Sequence, residues 1–172
     1  MKLYIGCSGW SYSSWQGTFY PKNLDNKCWL PYYLQIFNYV EIDFTFYNIP
    51  SELMVRNWAK RTPINFRFTA KFPKIITHDK KFKNVHNDLE LFYGRMEPHK
   101  DKLLALLIQL PPTYKLKEGL EVFSSHDFSL KVILDMSQIN LYRFKVLNNN
   151  TLDYSVKCCI AASYFNSSIL DS

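Results

Sequence analysis

A chain of 172 residues, 47% of them hydrophobic and with a net charge of +6, is long enough for one domain with a substantial core and too short for two. Only three apolar residues in a row precede Gly6, and the longest aliphatic run (residues 103–108) is far below the ~20 residues of a bilayer span. We therefore expect a cytoplasmic protein with no secretory signal and no membrane segment. Its four cysteines form neither a C-x-x-C pair nor a spaced framework, which argues against a zinc site or a disulfide scaffold.

The first part of the chain alternates strand-like and helical segments. The first predicted strand covers residues 2–6, a long aromatic loop follows it, and the second predicted strand covers residues 40–43. Between them, helical spacing of apolar side chains predicts a helix ending near Asn38 (Trp29, Tyr33, Ile36 and Phe37). Pro50-Ser51-Glu52 is a helix-start signal with Ser51 as N-cap, and that helix is expected to end near Arg61.

The same alternation continues to about residue 133. A third strand is predicted at residues 66–71 and a nearly unbroken aliphatic strand at residues 104–109. The helix between them ends at Pro98 and presents one apolar face (Val85, Leu89, Phe92 and Met96). A weaker helix at residues 117–123 precedes a fifth strand at residues 130–133. This order predicts an α/β fold consisting of the first four to five parallel β/α units of a partial TIM-type barrel (residues 1–133), with an irregular tail (residues 134–172).

Polarity alternates along the second and third predicted strands. Glu41, Asp43 and Thr45 share one face, opposite Val40, Ile42 and Phe44. The next strand repeats the pattern, with Arg67, Thr69 and Lys71 opposite Phe66, Phe68, Ala70 and Phe72. If the apolar faces carry the helices, the polar faces point into the barrel. The charged residues there form either a structural salt-bridge network or a ligand site at the carboxyl end of the strands, made by Asp43, Thr45 and Lys71.

The loop after the first strand is rich in aromatic residues. Five of them lie within residues 10–20, interleaved with hydroxyl side chains (Trp10, Tyr12, Trp15, Phe19 and Tyr20). Loops at this end of parallel strands form the active face of α/β barrels. Two interpretations remain open: the rings stack on a sugar or a base, or they form a small core that plugs the top of the barrel.

Two further features follow the third strand. His78 is suited to acid/base chemistry or metal ligation, but the other histidines do not fall at a ligand spacing with it, so no metal site is predicted. Lys80, Lys81 and Lys83 form the densest basic cluster, which is typical of a solvated face and also suits phosphate contacts. The sequence identifies no cofactor.

Several separated blocks, in order, resemble the YecE-like family, domain of unknown function 72, and most closely its archaeal branch. The first block is Ile5-Gly6-Cys7-Ser8-Gly9-Trp10-Ser11-Tyr12, continued by Trp15, Gly17 and Phe19-Tyr20-Pro21. The others are Val40-Glu41-Ile42, Thr45-Phe46-Tyr47, Pro50, Trp58, Thr62-Pro63, residues 66–71, Thr77-His78 and Gln109-Leu110-Pro111-Pro112. The resemblance covers about residues 2–133. It implies eight strands, a mouth lined by the loops described above, and no assigned activity.

The resemblance breaks at the fifth strand. Family members end that strand with a Glu-Phe-Arg-His-like segment and continue through three more strands, whereas this chain has Leu134-Asp135-Met136-Ser137. One choice of codons for these four residues, TTA GAC ATG AGT, encodes Arg-His-Glu when read from its third base. We therefore expect that the chain is truncated by a frameshift near Ile133 and that residues 134–172 are not native sequence.

These observations combine into one functional prediction. The full-length protein is expected to be an enzyme acting on a small polar or sugar-like ligand, with Asp43, Lys71 and His78 as acid/base or electrostatic groups. The expected ligand-binding residues are Trp10, Tyr12, Trp15, Thr45, Tyr47, Thr77 and Gln109. This chain is expected to be inactive and to self-associate through unclosed sheet edges. The alternative is a non-catalytic nucleic-acid or nucleotide binding protein that uses the same aromatic residues with Lys80, Lys81 and Lys83.

Overall fold

A computed structural model of the chain describes residues 3–114, 121, 132–135, 145–148 and 151–152. These residues contain a six-stranded sheet in sequence order. Its strands are β1 (Tyr39–Ile42), β2 (Arg67–Lys71), β3 (Leu103–Gln109), β4 (Val132–Asp135), β5 (Lys145–Asn148) and β6 (Thr151–Leu152). Strands β1 to β4 are parallel, whereas β5 and β6 extend the sheet antiparallel. The fold is therefore α/β with a parallel sheet, as predicted.

Helices precede β1 and connect β1 to β2 and β2 to β3. The α-helices are α1 (Trp29–Tyr33), α2 (Phe44–Tyr47), α3 (Glu52–Lys60) and α4 (His86–Met96). Shorter turns of 3₁₀-helix lie at Ser13–Trp15, Asn26–Cys28 and Glu97–Lys102, and a π-helical turn lies at Ile75–Asp79. The expected helix at residues 117–123 lies outside the described residues, apart from residue 121.

A local sequence signal accounts for the start of α3, and a lysine from a distant part of the chain binds its end. The Ser51 hydroxyl accepts a hydrogen bond from the Met54 amide at 3.3 Å, which confirms the predicted N-cap. Just beyond the last turn, the ammonium of Lys102 donates to the carbonyls of Ala59 and Thr62, both at 2.6 Å. Because the last carbonyls of a helix lack intrahelical partners, this lysine stabilises the end of α3 and fixes it to the start of β3.

The helices cover the apolar face of the sheet, as the alternation predicts. Side chains of β1, β2 and β3 are completely buried there, against α3 and α4 (Val40, Ile42, Phe68, Ala70, Leu106 and Ile108 against Val55, Phe92 and Met96). Phe44 is an exception, because it is more than one-third exposed. The strand ends at Ile42, and Phe44 begins the helical turn α2 instead of continuing the alternation.

The N-terminal segment runs beside β1 with little regular pairing. Residues 3–7 are not a strand, contrary to the prediction; the segment forms one parallel bridge, between Ser8 and Glu41. The hydroxyl of Tyr33 accepts from the Cys7 amide at 2.6 Å and lies 3.0 Å from the Tyr39 carbonyl. Gly6 permits this close approach, because a β-carbon at that position would collide with the Tyr39 carbonyl.

Regular structure also occurs in the tail. β5 pairs with β4, and β6 pairs with β5, so the expectation of an irregular tail is wrong at residues 145–148 and 151–152. The physical reason is that a parallel strand at the end of a sheet offers unpaired amides and carbonyls, and the Val146-Leu147 segment has the β-branched and apolar character that pairs readily.

Within these described ranges, no helix combines the length and the apolar character needed to cross a bilayer.

Candidate ligand pocket

A pocket of about 460 Å³ lies at the carboxyl end of β1. Three parts of the chain form it: the loop after the N-terminal segment, the β1–α2 junction, and the inner side of α3. The lining residues are Gly9, Trp10, Ser11, Tyr12, Ile42, Asp43, Phe44, Tyr47, Met54 and Trp58. The pocket therefore lies where the carboxyl ends of parallel strands usually carry ligand sites.

Aromatic rings dominate the pocket walls. Trp10 and Trp58 meet edge to face with centroids 6.1 Å apart, and Phe44 meets the same Trp58 at 6.3 Å. Tyr47 is 72% exposed at the rim. Two walls of rigid rings thus meet at a corner beside an exposed ring, which suits contact with a ligand that has an apolar face.

Asp43 is the acidic residue of the pocket, and Tyr12 positions it. Asp43 directly follows β1, and its carboxylate Oδ2 lies 2.8 Å from the Tyr12 hydroxyl, which is also 2.6 Å from the Ser8 carbonyl. Gly9 adopts a φ of +75°, and a side chain there would collide with the Tyr12 ring. Gly9 is therefore required for Tyr12 to reach Asp43.

Tyr12 is held in its neutral, proton-donating form. Burial raises the pKa of its hydroxyl far above the usual value, and the hydrogen bond to Asp43 and the nearby charge of that carboxylate raise it further. Tyr12 is thus a hydrogen-bond donor at any physiological pH. It fixes one oxygen of Asp43 and leaves the rest of the carboxylate to the pocket.

A buried polar network lies directly behind the pocket. Glu41 is almost fully buried, and its Oε1 accepts from the Ser8 hydroxyl at 2.8 Å and lies 3.2 Å from the Lys71 ammonium. Arg67 does not join this network; it donates to the carbonyls of Ile64 and Phe66. The predicted interior cluster is therefore correct for Glu41 and Lys71 and wrong for Arg67, which lies at the opposite end of β2.

The aromatic loop divides between the two interpretations left open by the sequence. Trp10 and Tyr12 line the pocket, whereas Trp15, Phe19 and Tyr20 pack on one another with centroids 4.8–5.8 Å apart. This second group continues into α1 and the following turn (Trp29, Tyr32, Tyr33 and Phe37). Trp15 is therefore part of a small aromatic core and does not line the pocket.

Two predicted ligand-binding threonines are buried away from the pocket. Thr45 is fully buried and its hydroxyl donates to the Ile42 carbonyl at 3.0 Å, because α2 turns it inward instead of leaving it on the strand face. Thr77 is also fully buried, and its hydroxyl lies 3.2 Å from the Pro73 carbonyl. Both hydroxyls satisfy backbone carbonyls, which is a structural task.

The remaining predicted residues lie near the same end of the sheet but outside the pocket lining. His78 contacts the Thr77 hydroxyl through Nδ1 at 2.9 Å and packs edge-on against Phe46 at 5.1 Å. Burial, followed by the charge of Lys74, lowers the His78 pKa. Gln109 is the last residue of β3, in register with Asp135 of β4. The structure thus brings together Trp10, Tyr12, Asp43 and Tyr47, and it leaves Lys71, His78 and Gln109 beside them.

The basic cluster after β2 is partly neutralised. Lys80 forms an ion pair with Asp88 at 2.6 Å, and the Lys81 ammonium lies 5.8 Å from the centroid of the Tyr114 ring. This arrangement leaves fewer free positive charges than the sequence indicates.

Sequence reasoning missed Trp58 and Met54 as pocket residues. Both belong to α3 and lie on the side of the helix that faces the loop of residues 9–12. Helical periodicity alone predicts that apolar residues at such positions belong to the hydrophobic core. Among the described side chains, no three His, Cys, Asp or Glu residues come together as a set of metal ligands.

Comparison with known proteins identifies related sequences. The model of the family described as "Protein of unknown function DUF72" matches residues 4–136. UPF0759 protein YecE of Escherichia coli K12 is 30% identical over 116 residues, covering 67% of this chain and 40% of that protein. UPF0759 protein YunF of Bacillus subtilis is 29% identical over 122 residues, covering 67% and 42%. The chain therefore spans about two-fifths of the length of these curated relatives.

Solved structures agree with this relationship. A crystal structure of a DUF72 family protein from Thermotoga maritima matches with a TM-score of 0.65 and 31% identity, covering 78% of this chain and 55% of that one. A second, from Enterococcus faecalis, matches with a TM-score of 0.51 and 26% identity, covering 59% and 45%.

Proposed function

Because the chain belongs to the DUF72 family, for which the family description gives no function, its pocket is the best guide to its activity, and we propose that this pocket binds a small, polar, sugar-like ligand. The single observation that carries the proposal is the pairing of aromatic walls with one positioned carboxylate. The apolar CH face of a sugar packs on rings such as Trp10 and Trp58, while its hydroxyls donate to Asp43.

We further propose that full-length relatives use this pocket for catalysis. Asp43 is the acid/base candidate, because it is a carboxylate inside the pocket that accepts a hydrogen bond from a neutral donor, Tyr12. Ala70 of β2 pairs in register with Ile42 of β1, so the next residues along the two strands, Lys71 and Asp43, are neighbours in the chain direction. The Lys71 ammonium forms an ion pair with Glu41. His78 is a weaker candidate, because it packs on Phe46 instead of lining the pocket.

The rest of the barrel is also a proposal. Since the chain spans about two-fifths of its curated relatives, we infer that the remaining part of those proteins supplies further parallel strands that complete a TIM-type barrel around the pocket. Turnover is therefore expected from a full-length family member and not from this chain alone. The assignment to an archaeal branch and the frameshift near residue 133 stay predictions, and the nucleotide sequence in all three frames tests the latter.

Ligand binding can be tested by saturation-transfer NMR with D-glucose and myo-inositol on the purified chain. The pocket aromatics should transfer saturation to the CH protons of the sugar. Tyr47→Ala should abolish the transfer, whereas the control Leu53→Ala should keep it, because Leu53 is similarly exposed (69%) but does not line the pocket. Absence of transfer in the unmodified chain, or equal transfer in both variants, would contradict the proposal.

The nucleic-acid alternative has a separate outcome. Phosphate contacts through Lys80, Lys81 and Lys83 predict binding of a single-stranded oligonucleotide that weakens steeply between 50 and 200 mM salt. The ion pair between Lys80 and Asp88 argues against it. Salt-sensitive oligonucleotide binding without sugar binding would favour the alternative.

A further inference from the structure

We propose that the ligand of this pocket carries an organic cation, a primary or quaternary ammonium group held between the aromatic walls and Asp43. The inference rests on the proposed function for the location of the site and goes beyond it in naming the charge of the ligand. An amino sugar and a choline-like amine both have the chemistry required.

The charge of the pocket lining favours a cation. Among the residues around the pocket, Asp43 alone carries a charged side chain. No ion pair within 4.0 Å involves it in the described part of the chain. Lys71, the cation on the neighbouring strand, is bound to Glu41 at 3.2 Å instead. The pocket is therefore electronegative, and a cation is the ligand group that compensates it.

The aromatic content of the lining also favours a cation. Five aromatic residues line the pocket together with Asp43: Trp10, Tyr12, Phe44, Tyr47 and Trp58. Trp10 and Trp58 meet edge to face with an interplanar angle of 88°, so two of the ring planes in the lining stand at a right angle to each other. Ring faces attract cations, tryptophan most strongly, and such cages recognise quaternary ammonium groups.

An anionic ligand does not suit the same lining. A phosphate or carboxylate ligand needs a cationic side chain or a cluster of amide donors, and no Lys, Arg or His lines the pocket. Tyr12 is neutral and uses its proton on Asp43 or the Ser8 carbonyl, so it does not offset the negative charge.

A matched pair of ligands tests the proposal on the unmodified chain. Choline and 3,3-dimethylbutan-1-ol have nearly the same shape and differ in the charge of the head group. Titration followed by tryptophan fluorescence should show choline binding at least tenfold more tightly than the neutral alcohol. Equal affinities, or no binding of choline, would overturn the inference, and this comparison does not depend on whether any variant folds.

Variants then assign the charge effect to one residue. Asp43→Asn keeps the shape of the pocket and should weaken choline binding about tenfold or more, so that most of the difference in affinity between choline and the neutral alcohol disappears. Asp101→Asn is the matched control, because it changes the net charge equally at an exposed position outside the pocket. Loss of choline binding in both variants, or in neither, contradicts the role of Asp43.

The sugar experiment separates the two proposals. Binding of glucose and glucosamine with equal affinity would sustain the sugar-like ligand and reject the cation. Binding of choline and glucosamine without glucose would support the cation and show that the charge dominates recognition. Binding of none of these ligands would reject both.

Discussion

Replacing His99 with leucine should make the stability of the chain less dependent on pH. His99 lies in the 3₁₀ turn before β3, is 1% exposed, and packs with its ring 4.0 Å from the centroid of Phe68. Neither ring nitrogen has a hydrogen-bond partner among the described atoms. Burial, followed by the charge of Lys102, lowers the His99 pKa from 6.5 to about 4. The neutral ring is thus the form that the fold accommodates.

The size of the effect follows from the difference between these two pKa values. As pH falls below about 6.5, the unfolded chain takes up a proton at His99 before the folded chain does, so folding loses stability until pH falls to about 4. At about 1.36 kcal/mol for each pH unit, the full loss is about 3 kcal/mol, of which about 2 kcal/mol is reached by pH 5. Above pH 7 the contribution is close to zero.

Urea unfolding at pH 7 and pH 5, followed by tryptophan fluorescence, measures this difference. The unmodified chain should lose about 2 kcal/mol more between the two pH values than His99→Leu does. His86→Gln is the control: its side chain is largely exposed and loosely paired with Glu90, so it should behave like the unmodified chain. Equal pH dependence in the unmodified chain and His99→Leu would mean that His99 takes up its proton equally well in the folded and unfolded chains, which contradicts the prediction.

Three further predictions concern the fold. Gly6→Ala should lower the free energy of unfolding by about 2 kcal/mol or more, measured by urea titration, because the new β-carbon collides with the Tyr39 carbonyl. Trp15→Ala should cost about 3 kcal/mol in the same assay, whereas Tyr47→Ala should change stability by no more than about 0.5 kcal/mol; equal costs would contradict the division of the aromatic loop. The purified chain should form concentration-dependent oligomers in size-exclusion chromatography with light scattering, because the N-terminal segment covers the outer edge of β1 only in part. A monodisperse monomer at all concentrations would contradict this prediction.

Periodicity in the sequence was sufficient to predict most of the sheet. The apolar face of β1, β2 and β3 and the N-cap of α3 were predicted correctly, because each depends on residues close together in sequence. Alternation does not indicate where a strand ends. Asp43, Phe44 and Thr45 continue the pattern of β1, yet the backbone turns helical after Ile42, which buries Thr45 and exposes Phe44.

The site was harder to predict, because its contacts join distant parts of the chain. Trp10 meets Trp58, forty-eight positions later, and only the packing of α3 against the loop brings them together. Trp10 and Trp15 are tryptophans of the same loop, yet Trp10 lines the pocket and Trp15 packs in the small aromatic core. Their spacing within the loop does not indicate which residue has which role. Likewise, the partners of Arg67 and Lys71 depend on which end of β2 each occupies.

The one-sided pairing of the N-terminal segment has a consequence for hydrogen exchange. The amides of Ile5, Cys7 and Gly9 donate to Asn38, Tyr33 and Glu41, with distances of 2.6–2.8 Å. The amides between them, at Gly6 and Ser8, have no such acceptor among the described residues. Deuterium uptake should therefore alternate residue by residue, slow at odd positions and fast at even ones. That pattern is expected for an extended segment that is hydrogen-bonded along one side only, and it would be lost if another chain paired with the other side.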